Sequence, residues 1–167
     1  DEIASIRKEG VREPSLVGLF PGSRNREIDR HFPVFIEVVS RLSRERPELS
    51  FETAASTEAL AERMRGMARK AGMPPELFHI TVGGYHELMD RAAVGVVASG
   101  TATMEAALHR LPYTLVYKVP LLTYWMARML IKIRFIGMVN ILAQKPVVKE
   151  LIQFDFTPDK VIGEIER

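Results

Sequence analysis

The sequence predicts an α/β domain: a Rossmann-like parallel sheet with helices on both faces. Three observations predict it. Short apolar runs of strand length alternate along the chain with amphipathic stretches of helical period. Gly, Pro and Ser punctuate the junctions. Runs such as Val94 to Val97 are apolar throughout, as befits strands covered on both sides.

At 167 residues the chain suits one domain with a full hydrophobic core. It has no cysteine, which excludes disulfides and thiolate metal sites. A formal net charge of +2 excludes the strong basic excess of a dedicated nucleic-acid binder. No apolar stretch reaches spanning length without a charge in it. Residues 1–14 are charged, lack an initiating Met and carry no apolar signal region. They read as a linker remnant, with residues 15–167 as a domain taken from a longer, soluble, intracellular protein.

The elements follow in order. Residues 15–20 form a strand that Pro21-Gly22-Ser23-Arg24 stops. Ile28, Phe32, Phe35, Ile36, Val39 and Leu42 then recur at helical spacing until Pro47 ends the helix. Residues 49–55 are a second strand. Residues 57–71 are a charged amphipathic helix closed by Gly72, with Pro74-Pro75 beyond it. Residues 78–82 are the third strand and 85–92 a short helix. Residues 94–98 are the fourth strand, followed by a helix to Arg110, and residues 112–117 are the fifth. Residues 147–153 read as a further short helix. Thr157 at an N-cap with Pro158 in the first helical position starts the last one.

Two junctions carry candidate chemistry. At the first, Gly22 lets backbone approach a phosphate and Arg24 offers a planar fork for two phosphate oxygens. The same residues also suit a plain turn with a solvated Arg. The second is Ala98-Ser99-Gly100-Thr101-Ala102-Thr103-Met104-Glu105, where a strand turns directly into a helix. First-turn amides lack intrahelical acceptors and face the positive end of the helix dipole, which makes an anion site. Glu105 lies one turn after Thr101 on the same face, placed to bind sugar hydroxyls. An ordinary N-cap with a dipole-favoured Glu fits the same residues. Metal-spaced His/carboxylate clusters and Asp-x-Asp pairs are missing, so the pattern points to diphosphate binding without metal or cofactor, using amides, Arg24 and Lys118. No general base is identifiable. The four histidines, His31, His79, His86 and His109, are scattered and read as surface or satisfied polar residues.

Residues 121–136 form a wide apolar stretch with Trp125 near one end and Arg128 and Lys132 one turn apart. Such a stretch fits a membrane interface, a core helix or a homo-oligomer contact.

Several of these stretches together resemble one family. They are Leu19-Phe20-Pro21-Gly22-Ser23-Arg24 with Glu27-Ile28, Ala98 to Ala102 with Glu105, Tyr117-Lys118, Asn140-Ile141-Leu142-Ala143, Glu150 to Gln153, and Thr157-Pro158. Their order is similar to that of the lipid-A-disaccharide synthases, inverting glycosyltransferases of the two-domain GT-B type. The resemblance covers residue 16 to the end and corresponds to the C-terminal, donor-binding half, with the N-terminal half absent. It implies a reaction between UDP-2,3-diacylglucosamine and 2,3-diacylglucosamine 1-phosphate that forms a β-1,6 disaccharide and releases UDP. It implies that Gly22, Ser23 and Arg24, with the amides of Ser99, Gly100, Thr101 and Ala102, hold the diphosphate. Glu105 would bind the ribose and Asn140 would lie near the donor. It further implies a general base in the absent half, and a peripheral location at the inner membrane, approached through residues 121–136. The chain departs from the family pattern at Ala93, Val139 and Gln144, where Asp, Pro and Gly respectively are usual.

Overall fold

A computed structural model of the chain describes residues 11–130 and 135–167. Strand β1 (Glu13–Phe20) is followed by helix α1 (Asn25–Glu45), β2 (Ser50–Ala55), α2 (Glu58–Lys70) and a 3₁₀ turn (Pro75–Leu77). Then come β3 (His79–Val82), α3 (Tyr85–Arg91), β4 (Ala92–Ala98), α4 (Thr101–Leu108) and β5 (Tyr113–Tyr117). Helices α5 (Leu121–Leu130) and α6 (Met138–Ala143), strand β6 (Lys149–Ile152) and helix α7 (Pro158–Ile165) complete the order.

The six strands form one sheet in the order β3-β2-β1-β4-β5-β6, with every neighbouring pair parallel. Strand periodicity sorts side chains onto two faces. On β1, Val17 and Leu19 enter one core with α1, α2 and α7, where Phe32, Phe35, Met64 and Val161 are fully buried. Leu16 and Phe20 enter the other with α3 and α4, beside Leu88, Met89 and Ala106. The parallel, doubly covered sheet that the sequence predicts is therefore present.

The structure moves three boundaries. The linker expected over residues 1–14 ends too late, because Arg12 and Glu13 belong to the domain. The Arg12 guanidinium donates to Met89 O, Asp90 O, Ala92 O and His109 O, at 2.7–3.3 Å. These carbonyls lie at the C-terminal ends of α3 and α4, where helices lack donors and favour a cation. Ala93 lies inside β4, not ahead of it. Residues 147–153 are not helical but contain β6. The free edge of β5 offers ladder hydrogen bonds, and pairing Val116 with Leu151 buries the leucine. Local propensity for helix yields to that pairing.

Helix α5 covers the first part of the 121–136 stretch, while Lys132 and the Arg128 side chain lie outside what the structure describes. Leu121, Leu122, Trp125, Met126 and Met129 on α5 are more than half exposed. Among the described residues, no helix is long and apolar enough to cross a membrane.

Candidate functional site

Strand order reverses between β1 and β4. The chain leaves β1 for α1 on one face and β4 for α4 on the other, so a crevice opens at the carboxyl ends of these two strands. Open α/β sheets bind ligands at that switch point. The two junctions singled out in the sequence flank it.

The turn after β4 is organised by its own backbone. Gly100 is the N-cap of α4 at φ 147° and ψ −159°, a conformation open essentially to glycine alone. Thr103 locks it from inside: its N–H (3.2 Å) and its hydroxyl (2.8 Å) both donate to Gly100 O. The buried Tyr113 hydroxyl then donates to Thr103 O at 2.9 Å. Burial pushes the Tyr113 hydroxyl up to about 12, so it remains a donor at neutral pH. Ser99 departs from the expectation, because its N–H is spent on Val116 O at 2.9 Å. The amides that lack intrahelical acceptors are those of Thr101 and Ala102 at the start of α4.

Glu105 stands one turn further on, a little over one third exposed, with an oxygen 3.7 Å from His86 Nε2 on α3. His86 stacks on His109, whose Nδ1 lies 2.6 Å from Asp90 Oδ1. Tyr85 packs edge-on against Phe20, and burial with the Glu105 charge raises its hydroxyl pKa well above the usual range. Glu105 thus sits beside Tyr85, which the sequence reading passed over, and His86, which it read as a surface or satisfied polar residue. Their position directly after Gly83-Gly84, past the end of β3, was the available signal.

The turn after β1 is built differently. Glu27 reaches back so that its Oε2 accepts from Ser23 N–H (3.0 Å) and Arg24 N–H (3.3 Å), while its Oε1 meets Arg24 Nη1 at 3.2 Å. Gly22, at φ 110°, is required for this: a Cβ there would run into the Glu27 carboxylate and stand 2.8 Å from Glu27 Cβ. The glycine therefore makes room for the protein's own carboxylate. The Ser23 and Arg24 amides are thus occupied, but the Arg24 side chain, the group expected to meet phosphate, remains largely exposed at 81%. It lines a cleft of about 460 Å³ with Arg26, Arg30 and Lys118, against the single carboxylate of Glu27. Arg26 and Arg30, four apart on α1, are a helical pair that the sequence reading passed over. Lys118, expected there, comes from the end of β5.

Asn140, expected to lie near the donor, plays a structural part. Its side chain is buried and fully engaged: Nδ2 donates to Val148 O and Glu150 Oε1, both at 2.8 Å, and Oδ1 accepts from Val147 N–H and Val148 N–H at 2.8 and 2.9 Å. A carboxamide has two donors and two lone pairs, and all are used. Asn140 staples α6 to β6 and has no hydrogen-bonding capacity left for a donor substrate. Gln144 caps α6 at φ 54°, a left-handed position that favours glycine, the residue the resemblance leads one to expect there.

The fold and these turns define a doubly wound α/β domain whose cationic side chains and helix-start amides flank its switch point. The family described as Lipid-A-disaccharide synthetase matches residues 5–164, and the chain belongs to that family. It is 36% identical over 156 residues to the lipid-A-disaccharide synthase of Myxococcus xanthus, covering 93% of this chain and 40% of the relative. It is 35% identical over 156 residues to that of Thiobacillus denitrificans, with 93% and 41% covered. It is 36% identical over 169 residues to that of Hahella chejuensis, with 98% and 41% covered. The chain spans about two fifths of the length of these relatives.

Proposed function

We propose that this chain is the nucleotide-sugar donor-binding half of a lipid-A-disaccharide synthase, holding UDP-2,3-diacylglucosamine at the switch point. The observation that carries this reading is the pairing of two chemistries across one crevice. Bare α4 amides and the Glu105 carboxylate lie on the β4 side, and the Arg24–Lys118 cleft lies on the β1 side. Glu105 accepts hydrogen bonds from the ribose hydroxyls. The Thr101 and Ala102 amides, the Arg24 guanidinium and the Lys118 ammonium hold the diphosphate. As the bond to the sugar breaks, negative charge grows on the departing UDP. Donors already fixed in place favour that state without reorganising, so no metal is needed. The general base that deprotonates the acceptor hydroxyl belongs to the N-terminal half.

The exposed apolar residues of α5, and separately Ile141 and Leu142 on α6, support a peripheral position at the inner membrane, where both acylated substrates reside. The same residues also support homo-oligomer contact. Liposome flotation against sedimentation equilibrium separates the two.

Calorimetric titration with UDP, UMP and ADP in EDTA tests the donor site. We expect UDP to bind best and EDTA to change nothing. Glu105→Ala should weaken UDP binding by at least about tenfold, with unfolding unchanged. A variant that binds UDP like the parent overturns the ribose assignment. Equal binding of all three nucleotides overturns the donor site.

A further inference from the structure

His31 lies on α1, outside both candidate turns, yet it touches the β1 turn and the end of β5. It is 1% exposed among Phe32, Phe35 and Phe156. Its Nδ1 is 2.8 Å from Pro21 O, the residue that opens the β1 turn. Its Nε2 is 3.2 Å from the backbone N of Lys118. A carbonyl can only accept and an amide N–H can only donate. The ring is therefore neutral, with the proton on Nδ1.

We propose that His31 is the positioning residue of the anion cleft, joining the Pro21–Arg24 turn to Lys118 so that cations from two different strand ends face one another. This rests on the reading of that cleft as a diphosphate site. The link spans 87 residues of sequence, and no other bond of the same kind ties these two segments among the described residues. Without it, the β1 turn keeps its bonds to Glu27 and the segment after β5 keeps those between Val119 and Gln153, but each is then held separately from the other.

Protonation breaks the link. Imidazolium would set Nε2–H against Lys118 N–H, two donors with no acceptor between them. The groups facing the ring are Glu27 and Arg30 from α1, the Tyr117 ring and Lys118 amide from the end of β5, and the Phe156 ring ahead of α7. Burial dominates and, with Arg30, holds the imidazole below its ordinary 6.5, although the Pro21 carbonyl, Glu27 and the Lys118 backbone act the other way. For a depressed histidine the unfolded chain binds the proton first. The stabilising contribution is thus complete above 6.5 and is lost as pH falls through the lower folded value.

The test uses amide NMR and a ligand that does not itself titrate between pH 5 and 8, UDP-N-acetylglucosamine. In the parent, the Lys118 amide resonance should move with the His31 ring below pH 6.5, and ligand affinity should fall in the same step. His31→Asn keeps a donor near Pro21 but cannot reach Lys118. It should bind about fivefold more weakly, with the pH step gone. His31→Gln reaches Lys118 and should recover most of that loss, still without the step. A Lys118 amide that ignores His31 titration overturns the link. Unchanged affinity and pH profile in His31→Asn overturn the positioning role while the link stands. A parent that binds no ligand at any pH, with the Lys118 amide still titrating, overturns the diphosphate reading instead.

Discussion

The turns after β1 and β4 do the same job in outline and opposite jobs in detail. Each carries the chain from a buried parallel strand into a helix N-terminus at the same edge of the sheet. In the first, Glu27 at the third helical position swings back and fills the amides of Ser23 and Arg24. In the second, Thr103 occupies the corresponding position. Its short side chain bonds the Gly100 carbonyl, not an amide. The first turn has its Ser23 and Arg24 amides, ahead of the helix, taken by its own carboxylate and presents side-chain cations. The other stays open and presents backbone donors. A helix N-terminus is thus an anion site only when no nearby side chain has already claimed it.

Replacing the two glycines sharpens this contrast and carries the largest expected effect. Gly100→Ala meets open space and should cost only backbone strain, about 1–3 kcal/mol. Gly22→Ala adds a collision with Glu27 and should exceed it by about 1–3 kcal/mol in denaturant unfolding. Adding Glu27→Ala to Gly22→Ala should recover the part of that excess due to the carboxylate, while the contact with the Cβ of residue 27 at 2.8 Å remains. Equal costs for the two glycines would mean that the carboxylate does not define the first turn.

Glu27→Ala alone should convert the closed turn into an open one. Loss of the reciprocal cap should cost about 1 kcal/mol of stability, while the freed amides and the less neutralised cleft should bind inorganic phosphate more tightly. Phosphate affinity that does not rise would break the comparison at its centre. The smallest effect belongs to Thr103→Val, which removes the hydroxyl bond to Gly100 O but keeps the shape. It should cost about 1 kcal/mol by thermal unfolding and weaken UDP binding modestly, since the backbone bond from residue 103 remains. UDP affinity that is lost altogether would show the open turn to be held by that hydroxyl alone.

Much of this was legible in the residues themselves. Apolar runs of strand length and helical stretches with a 3.6 period record local backbone geometry, and Gly22 and Gly100 mark the two turns where only glycine serves. Arg24 and Glu105 could be placed from spacing alone, Arg24 four residues past the end of β1 and Glu105 four residues past the first residue of α4. The staple at Asn140 was not legible: a polar residue ahead of an apolar pair looks the same whether it faces a ligand or backbone. Nor was β6, whose four residues become a strand only because β5 presents an unpaired edge beside them.

The sequence by itself therefore determined the alternating elements, the glycine turns and the family, all of which depend on neighbours a few residues apart. The tertiary structure alone decided that Glu27 closes one turn while its counterpart stays open. It alone brought Arg26 and Arg30 into the cleft of Arg24 and Lys118, and gave His31 a carbonyl and an amide to join. These are matters of distance between segments far apart in the chain. They are set by strand order and by the burial that fixes each hydrogen-bonding group against a partner.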